Sequence, residues 1–305
     1  MTQLFLGQVI SGFGQSMVWV AQGDYVAFYG TEQTKGVFFA IFWSLYTGSL
    51  VVGNLLSAQL ITHASGVLFY FLMGCIILVT ETCFFFLRYP PPQNPRSQQS
   101  HAVDGIASLP GNENSAFSSA LDQRNTQDGH GEESLLSSIK STLKIAGTRK
   151  MLAIIPLIVY TGTSIAYWAG MIAPLIQLQI KSDVTMPESE KSDNDIFRLS
   201  LLAMVAFGIG EVLGSHLIGF FIDYFSSRKA TVFIIMLMIL MISFTIKAIN
   251  TAEYGIITFL MTFFWGLHDA SINVQLFQIL GFEFENATEP FGLFLLLQGL
   301  SIFVF

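Results

Sequence analysis

The stretch Gly208–Lys229, GIGEVLGSHLIGFFIDYFSSRK, decides how this chain folds. Its first part is apolar apart from Glu211 and His216, and small residues recur four apart, Gly210 with Gly214 and Ser215 with Gly219. In lipid, apolar side chains gain little by associating, so helices pack where small residues let their backbones approach. The stretch therefore predicts a membrane helix that carries one buried acid and touches a neighbouring helix backbone. It ends in a charged turn, Gly219-x3-Asp223-x4-Arg228-Lys229, before the next apolar run opens.

The rest of the chain keeps this character. Of its 305 residues, 52% are apolar, 14% aromatic and only 11% charged, with a mean hydropathy of +0.58; soluble domains carry about 25% charged residues. This composition predicts an all-α polytopic membrane protein, with the lipid bilayer as its first partner. The net charge of -7 comes with no basic stripe interleaved with aromatics, which excludes nucleic acid as a partner. Cys75 and Cys83 fall in one apolar segment and suggest neither a disulfide framework nor a metal site. There is no Walker loop, dinucleotide fingerprint or nucleophile elbow, and the Gly-rich phrases lie within membrane helices, so neither a cofactor nor catalysis is expected. Met1 runs into LFLGQVISGFG without a basic n-region, so the first span is expected to direct insertion.

Runs of about 20 mostly apolar residues place spans near 2–22, 36–61, 65–88, 150–179, 197–222, 230–249 and 254–280, with a last run from 290 to Phe305. That last run, at about 1.5 Å per residue, is too short for a hydrocarbon core of about 30 Å. The expectation is seven full spans, part of an eighth, and a chain that is a piece of something longer. Residues 89–149 form a polar join rich in Pro, Ser, Gln, Asn and Gly, expected to be flexible. Its end sets Leu135, Leu136, Ile139 and Leu143 on one helical face with Lys140 and Lys144 off it, suited to an anionic membrane surface or simply to a basic lead-in. If that join is cytoplasmic, the inner side gathers Lys35, Arg88, Arg96, Arg124, Lys140, Lys144, Arg149, Lys150, Arg228 and Lys229. The outer side keeps Lys181, Lys191, Arg198 and Lys247. The same topology puts the Asn286-Ala287-Thr288 sequon inside, where it is expected to stay unmodified.

Several phrases together resemble one family. The charged turn is similar to the loop signature of the major facilitator superfamily. The first span ends MVWVAQGDY, with Trp19, Gln22, Gly23 and Tyr25; the second reads GVFFAIFWSLYTGSLVVGN, with Gly53 and Asn54. The fourth carries VYTGTSIAYWAG, the fifth GIGEVLG and the seventh GLHDASINVQLFQILGF. These resemble the Unc-ninety-three-like branch of that superfamily, the ion channel regulatory proteins, and within it the facilitator-domain-containing-eleven type. The resemblance implies a helical bundle of two six-helix halves. Residues 1–88 would be the remainder of the first half, family spans four to six, and 150–305 a truncated second half, spans seven to part of eleven. It further implies a regulatory or trafficking accessory of ion channels or receptors, in a plasma or endosomal membrane.

An ionisable group within the hydrocarbon is costly unless it faces protein or water, which singles out Glu211, Asp269 and, closer to a membrane surface, Glu81. Asn273 lies one turn after Asp269 and points the same way. Glu211 and Asp269 read either as a proton- or cation-coupling pair, the mark of a secondary transporter, or as a structural polar clamp. His216 and His268 read as satisfied interior histidines. Gly219, Asp223, Arg228 and Lys229 read as the brace of a cytoplasmic gate. Trp19, Gln22, Gly23 and Tyr25 suit an aromatic belt at the same interface. Pro156, Pro174, Gly162 and Gly170 are expected to loosen the fourth span, with Thr161, Thr163 and Ser164 satisfying freed carbonyls.

Overall fold

The computed structural model describes residues 2–31, 33–63, 66–86, 140–284 and 288–305. Among them there is no strand, and the chain is an all-α membrane protein. The helices are α1 (Thr2–Tyr29), α2 (Lys35–His63), α3 (Gly66–Thr82), α4 (Arg149–Tyr167), α5 (Ala173–Ser182), α6 (Asp193–Tyr224), α7 (Ser227–Thr251), α8 (Ile256–Phe282) and α9 (Thr288–Val304). Most of the join, the sequon residues Asn286 and Ala287, and Leu135, Leu136 and Ile139 lie outside the described residues. Residues 140–146 are helical, with Lys140, Leu143 and Lys144 exposed.

Four helical runs are long and apolar enough to cross a membrane: Lys35–His63, Arg149–Ser182, Asp193–Tyr224 and Ser227–Thr251. The third of these is α6, whose start is capped by Ser192 accepting from the Asp195 amide, with Asp193 and Asp195 in the first turn where the helix dipole favours acids. The run Arg149–Ser182 contains α4 and α5 joined by a π-helical turn over Trp168–Ile172. Gly170 sits in that turn and Pro174 opens α5, so the break lies there. Thr161 and Thr163 donate to the carbonyls of Ile158 and Val159, whereas Pro156 and Pro174 free those of Leu152 and Gly170. The expected compensation is therefore absent at these two threonines. Gly162 does not loosen the helix either: a Cβ there would lie 2.5 Å from Ser301 Cβ and 2.6 Å from the Gln298 carbonyl, so its role is close approach of α4 to α9.

The chain divides into two compact units, 1–69 with 140–305, and 70–139. Of the second, the described part is the end of α3 and a short 3-10 turn, Cys83–Phe86, with Glu81 and both cysteines exposed.

In the first unit α6 lies between α2 and α8, and each of its two small-residue stripes serves a different neighbour. A Cβ on Gly210 or Gly214 would stand 2.1 Å from the Phe263 carbonyl oxygen or 2.4 Å from that of Leu267, both on α8; one on Gly266 would stand 1.9 Å from the Phe207 carbonyl oxygen on α6. Facing α2, Ser215 and Ser44 hydroxyls lie 2.9 Å apart, and a Cβ on Gly219 would meet Ala40 Cβ at 2.7 Å. Around this trio runs an apolar core that includes Phe39, Ile218, Phe277, Phe291 and Phe294. A second core gathers Ile176, Phe207, Met241, Met261 and Trp265.

Candidate functional site

Because α8 is packed by α6 on one side and by α2, α4, α7 and α9 around the rest, its polar residues cannot reach lipid or water. His268, Asp269, Asn273 and Gln278 are all buried. The Asn273 Nδ2 amide donates to the Asp269 backbone oxygen at 2.9 Å and to Asp269 Oδ2 at 3.2 Å, as the one-turn spacing predicts. Ser164 of α4 donates to Asp269 Oδ1 at 3.5 Å. Glu211 of α6, the helix packed most closely on α8, is buried as well. The close glycine contacts of α6 and α8 bring the backbones that carry the two acids together: Gly266 is three residues before Asp269, and its contact atoms include the Glu211 backbone nitrogen at 3.0 Å from an added Cβ.

Tyr160 of α4 is partly buried beside this group, whereas Tyr46 of α2 is 47% exposed. Tyr160 also reaches His268, hydroxyl to Nε2 at 3.4 Å. Three buried polar atoms here have no hydrogen-bond partner: Glu211 Oε2, Asn273 Oδ1 and His268 Nδ1. Such orphans are rare inside proteins, and strain, an ordered water or an ion are among the explanations for them. His216, by contrast, is exposed rather than interior, and its Nδ1 lies 2.9 Å from the Ser44 hydroxyl.

At the end of α6 nearest the charged turn, Asp223 reaches across to α2. The Gly36 and Val37 amides donate to its Oδ1 and Oδ2 at 2.8 and 2.9 Å. These are first-turn amides with no partner inside their own helix, and a carboxylate there also meets the positive end of the helix dipole. Glycine is needed at both contact points, because a Cβ on Gly36 would lie 2.5 Å from the Gly219 carbonyl oxygen and 2.7 Å from Asp223 Oδ1. Arg228 and Lys229 are exposed, and among the described residues neither pairs with Asp223; Lys229 lies 5.3 Å over the Phe225 ring.

The motif residues of the first span are partly inside the bundle. Trp19 sits at the centre of an aromatic group, 4.9 Å from Tyr46, 6.0 Å from Trp43 and 6.1 Å from Phe277. Gly23 faces the Phe291 ring, Gln22 Nε2 is buried without a partner, and only Tyr25 is exposed. These contacts are packing between helices. In α2, Asn54 donates to the Leu50 carbonyl and Gly53 has no neighbour within 4 Å of a Cβ position.

A second polar knot, at the opposite end of the bundle, has no counterpart in the sequence reading. Buried Asp183 accepts from the Thr185 amide and hydroxyl at 2.8 and 2.6 Å and from the Tyr254 amide at 3.0 Å. The Thr185 hydroxyl, then its amide, hold this carboxyl below the ordinary value of 3.8. The Tyr254 hydroxyl donates to the Leu199 carbonyl at 2.9 Å, and burial pushes it up to about 12 against the opposing pull of Arg198. Spacing along the chain gives no sign of this clasp, because its parts come from three separate loops and helix ends.

A family model described as ion channel regulatory protein UNC-93 matches residues 1–305. Among curated proteins, the UNC93-like proteins MFSD11 of Xenopus tropicalis and Xenopus laevis are each 24% identical, over 320 and 321 residues. The alignments cover 96% of this chain and 66% of each relative, so the chain spans about two thirds of their length. No solved structure matches.

Proposed function

The chain belongs to the UNC-93 family of ion channel regulatory proteins, and from that premise we propose that it acts as a regulatory or trafficking accessory of an ion channel or another membrane protein, without catalysis of its own. The match of the family model along the whole chain carries this reading. The lateral partner would be a channel or receptor subunit in the same bilayer, and residues 1–88 and 150–305 would belong to the two halves of a facilitator-type bundle. The test is purification in mild detergent from membranes that co-express a candidate channel subunit. A stoichiometric complex, together with altered surface abundance of the channel when the protein is depleted, supports the reading. A protein that purifies alone and leaves channel abundance unchanged sinks it.

A second reading, secondary transport of a small solute or cation coupled through Glu211 and Asp269, draws on one observation: both carboxyls are buried on packed helices, with an unpartnered oxygen on Glu211. Vesicles containing the purified protein test it directly. Ion-dependent flux lost in Asp269→Asn favours transport; vesicles that leak no faster than empty ones dismiss it.

A further inference from the structure

We propose that the helix over residues 140–146 is a docking surface for anionic phospholipid headgroups, with Lys140 and Lys144 holding phosphate oxygens and Leu143 seated among the first methylenes of the acyl chains. The other side of the helix fixes where it lies. Ile145 and Ala146 pack on the apolar core, and the Ser141 hydroxyl donates to Glu289 Oε1 at 3.1 Å, in the first turn of α9. Just beyond, Thr148 caps α4 by accepting from the Met151 amide, and Lys150 pairs at 3.1 Å with Glu283, the cap residue that closes α8. The start of α4, the end of α8 and the start of α9 therefore all meet this short segment. It lies at the end of the bundle, where the membrane-crossing run Arg149–Ser182 begins.

The outward face carries charge and one apolar side chain. Positions 140, 143 and 144 stand at i, i+3 and i+4 and share one side of a helix; all three are exposed, Leu143 at 67%. A leucine between two lysines matches the boundary between headgroups and acyl chains, where the ammonium groups reach phosphate and the leucine stays in hydrocarbon. Arg149, exposed at the start of α4, adds a third cation. Among the described residues none of these three cations is in an ion pair. The carboxylates near them are engaged, Glu283 by Lys150 and Glu289 by Ser141, with the other Glu289 oxygen buried. The complementary anion is the lipid phosphate of the adjoining leaflet. Such a surface serves an accessory or a transporter alike, so its test stands apart from both.

The experiment uses the full chain in nanodiscs of phosphatidylcholine, alone or mixed with phosphatidylserine. An environment-sensitive fluorophore is placed on Leu143→Cys in a Cys75→Ser, Cys83→Ser background. A blue shift of its emission and slower hydrogen exchange over 140–146 are expected in the anionic discs only, and raised salt should reverse both. Lys140→Gln and Lys144→Gln should each lower the phosphatidylserine that co-purifies with the protein by about fivefold. Lys247→Gln, exposed at the far end of α7, should leave it unchanged. A label with the same emission in both discs overturns the proposal. So does reversal of the shift by inorganic phosphate but not by chloride at equal ionic strength, which would give these cations to a soluble anion instead.

Discussion

Gly266→Ala adds one methyl group at the tightest point in the bundle. The new Cβ would lie 1.9 Å from the Phe207 carbonyl oxygen, 2.8 Å from the Phe207 carbonyl carbon and 3.0 Å from the Glu211 nitrogen. All three are backbone atoms, so no side chain can swing aside. Ordinary contact begins near 3.4 Å, so α6 and α8 must part by about 1.5 Å along that line. Overpacking of this kind costs about 1–3 kcal/mol, and separation also removes contacts at Gly210 and Gly214 along the same seam. The matched control is Gly48→Ala in α2, where a Cβ meets nothing within 4 Å and the helix should gain up to about 1 kcal/mol from reduced backbone freedom. Thermal unfolding in detergent, followed by tryptophan fluorescence, reads both. The expected result is a midpoint several degrees lower for Gly266→Ala and unchanged or slightly higher for Gly48→Ala. Equal midpoints would refute the argument that backbone contact joins these helices.

Asp223→Asn keeps one side-chain oxygen but loses the charge and one of the two amide bonds at the start of α2; the cost should be about 1 kcal/mol, with faster hydrogen exchange at Gly36 and Val37 and none at the far end of the helix. Unchanged exchange there would show that the Asp223 contact holds nothing. The Asp183 clasp predicts an acid limb: its carboxyl is held low, so its stabilisation is complete above the ordinary value of 3.8 and is lost as pH falls through the lower, folded value. Asp183→Asn should lower the thermal midpoint at neutral pH and flatten that acid limb; a parallel drop at every pH would assign the role to packing alone.

Of the seven full spans expected, those near 36–61, 150–179, 197–222 and 230–249 coincide with the four helical runs long and apolar enough to cross a membrane, legible because a bilayer demands long apolar runs, and the small-residue stripes of α6 were legible because close packing demands them. The i, i+4 relation of Asp269 and Asn273 could also be read from helix geometry. The sequence does not say which stripe meets which helix. Gly210 and Ser215 look alike as letters, yet one faces α8 and the other α2. Glu211 and Asp269 stood out as buried acids, but the close approach of their helices is set by the α6–α8 glycine contacts, and the bond from Ser164 to Asp269 comes from a helix whose neighbours no periodicity specifies. Trp19 gave only the sign of an aromatic near a span end; its contacts with Trp43, Tyr46 and Phe277 follow from helix neighbours that the sequence does not specify.

The two-sided seam of α6 has a mechanical corollary. Gly210 and Gly214 set the α6 backbone against α8 and Gly219 sets it against α2, so a displacement of the start of α2, clasped by Asp223, would be passed to α6 at points where backbone meets backbone with little slack.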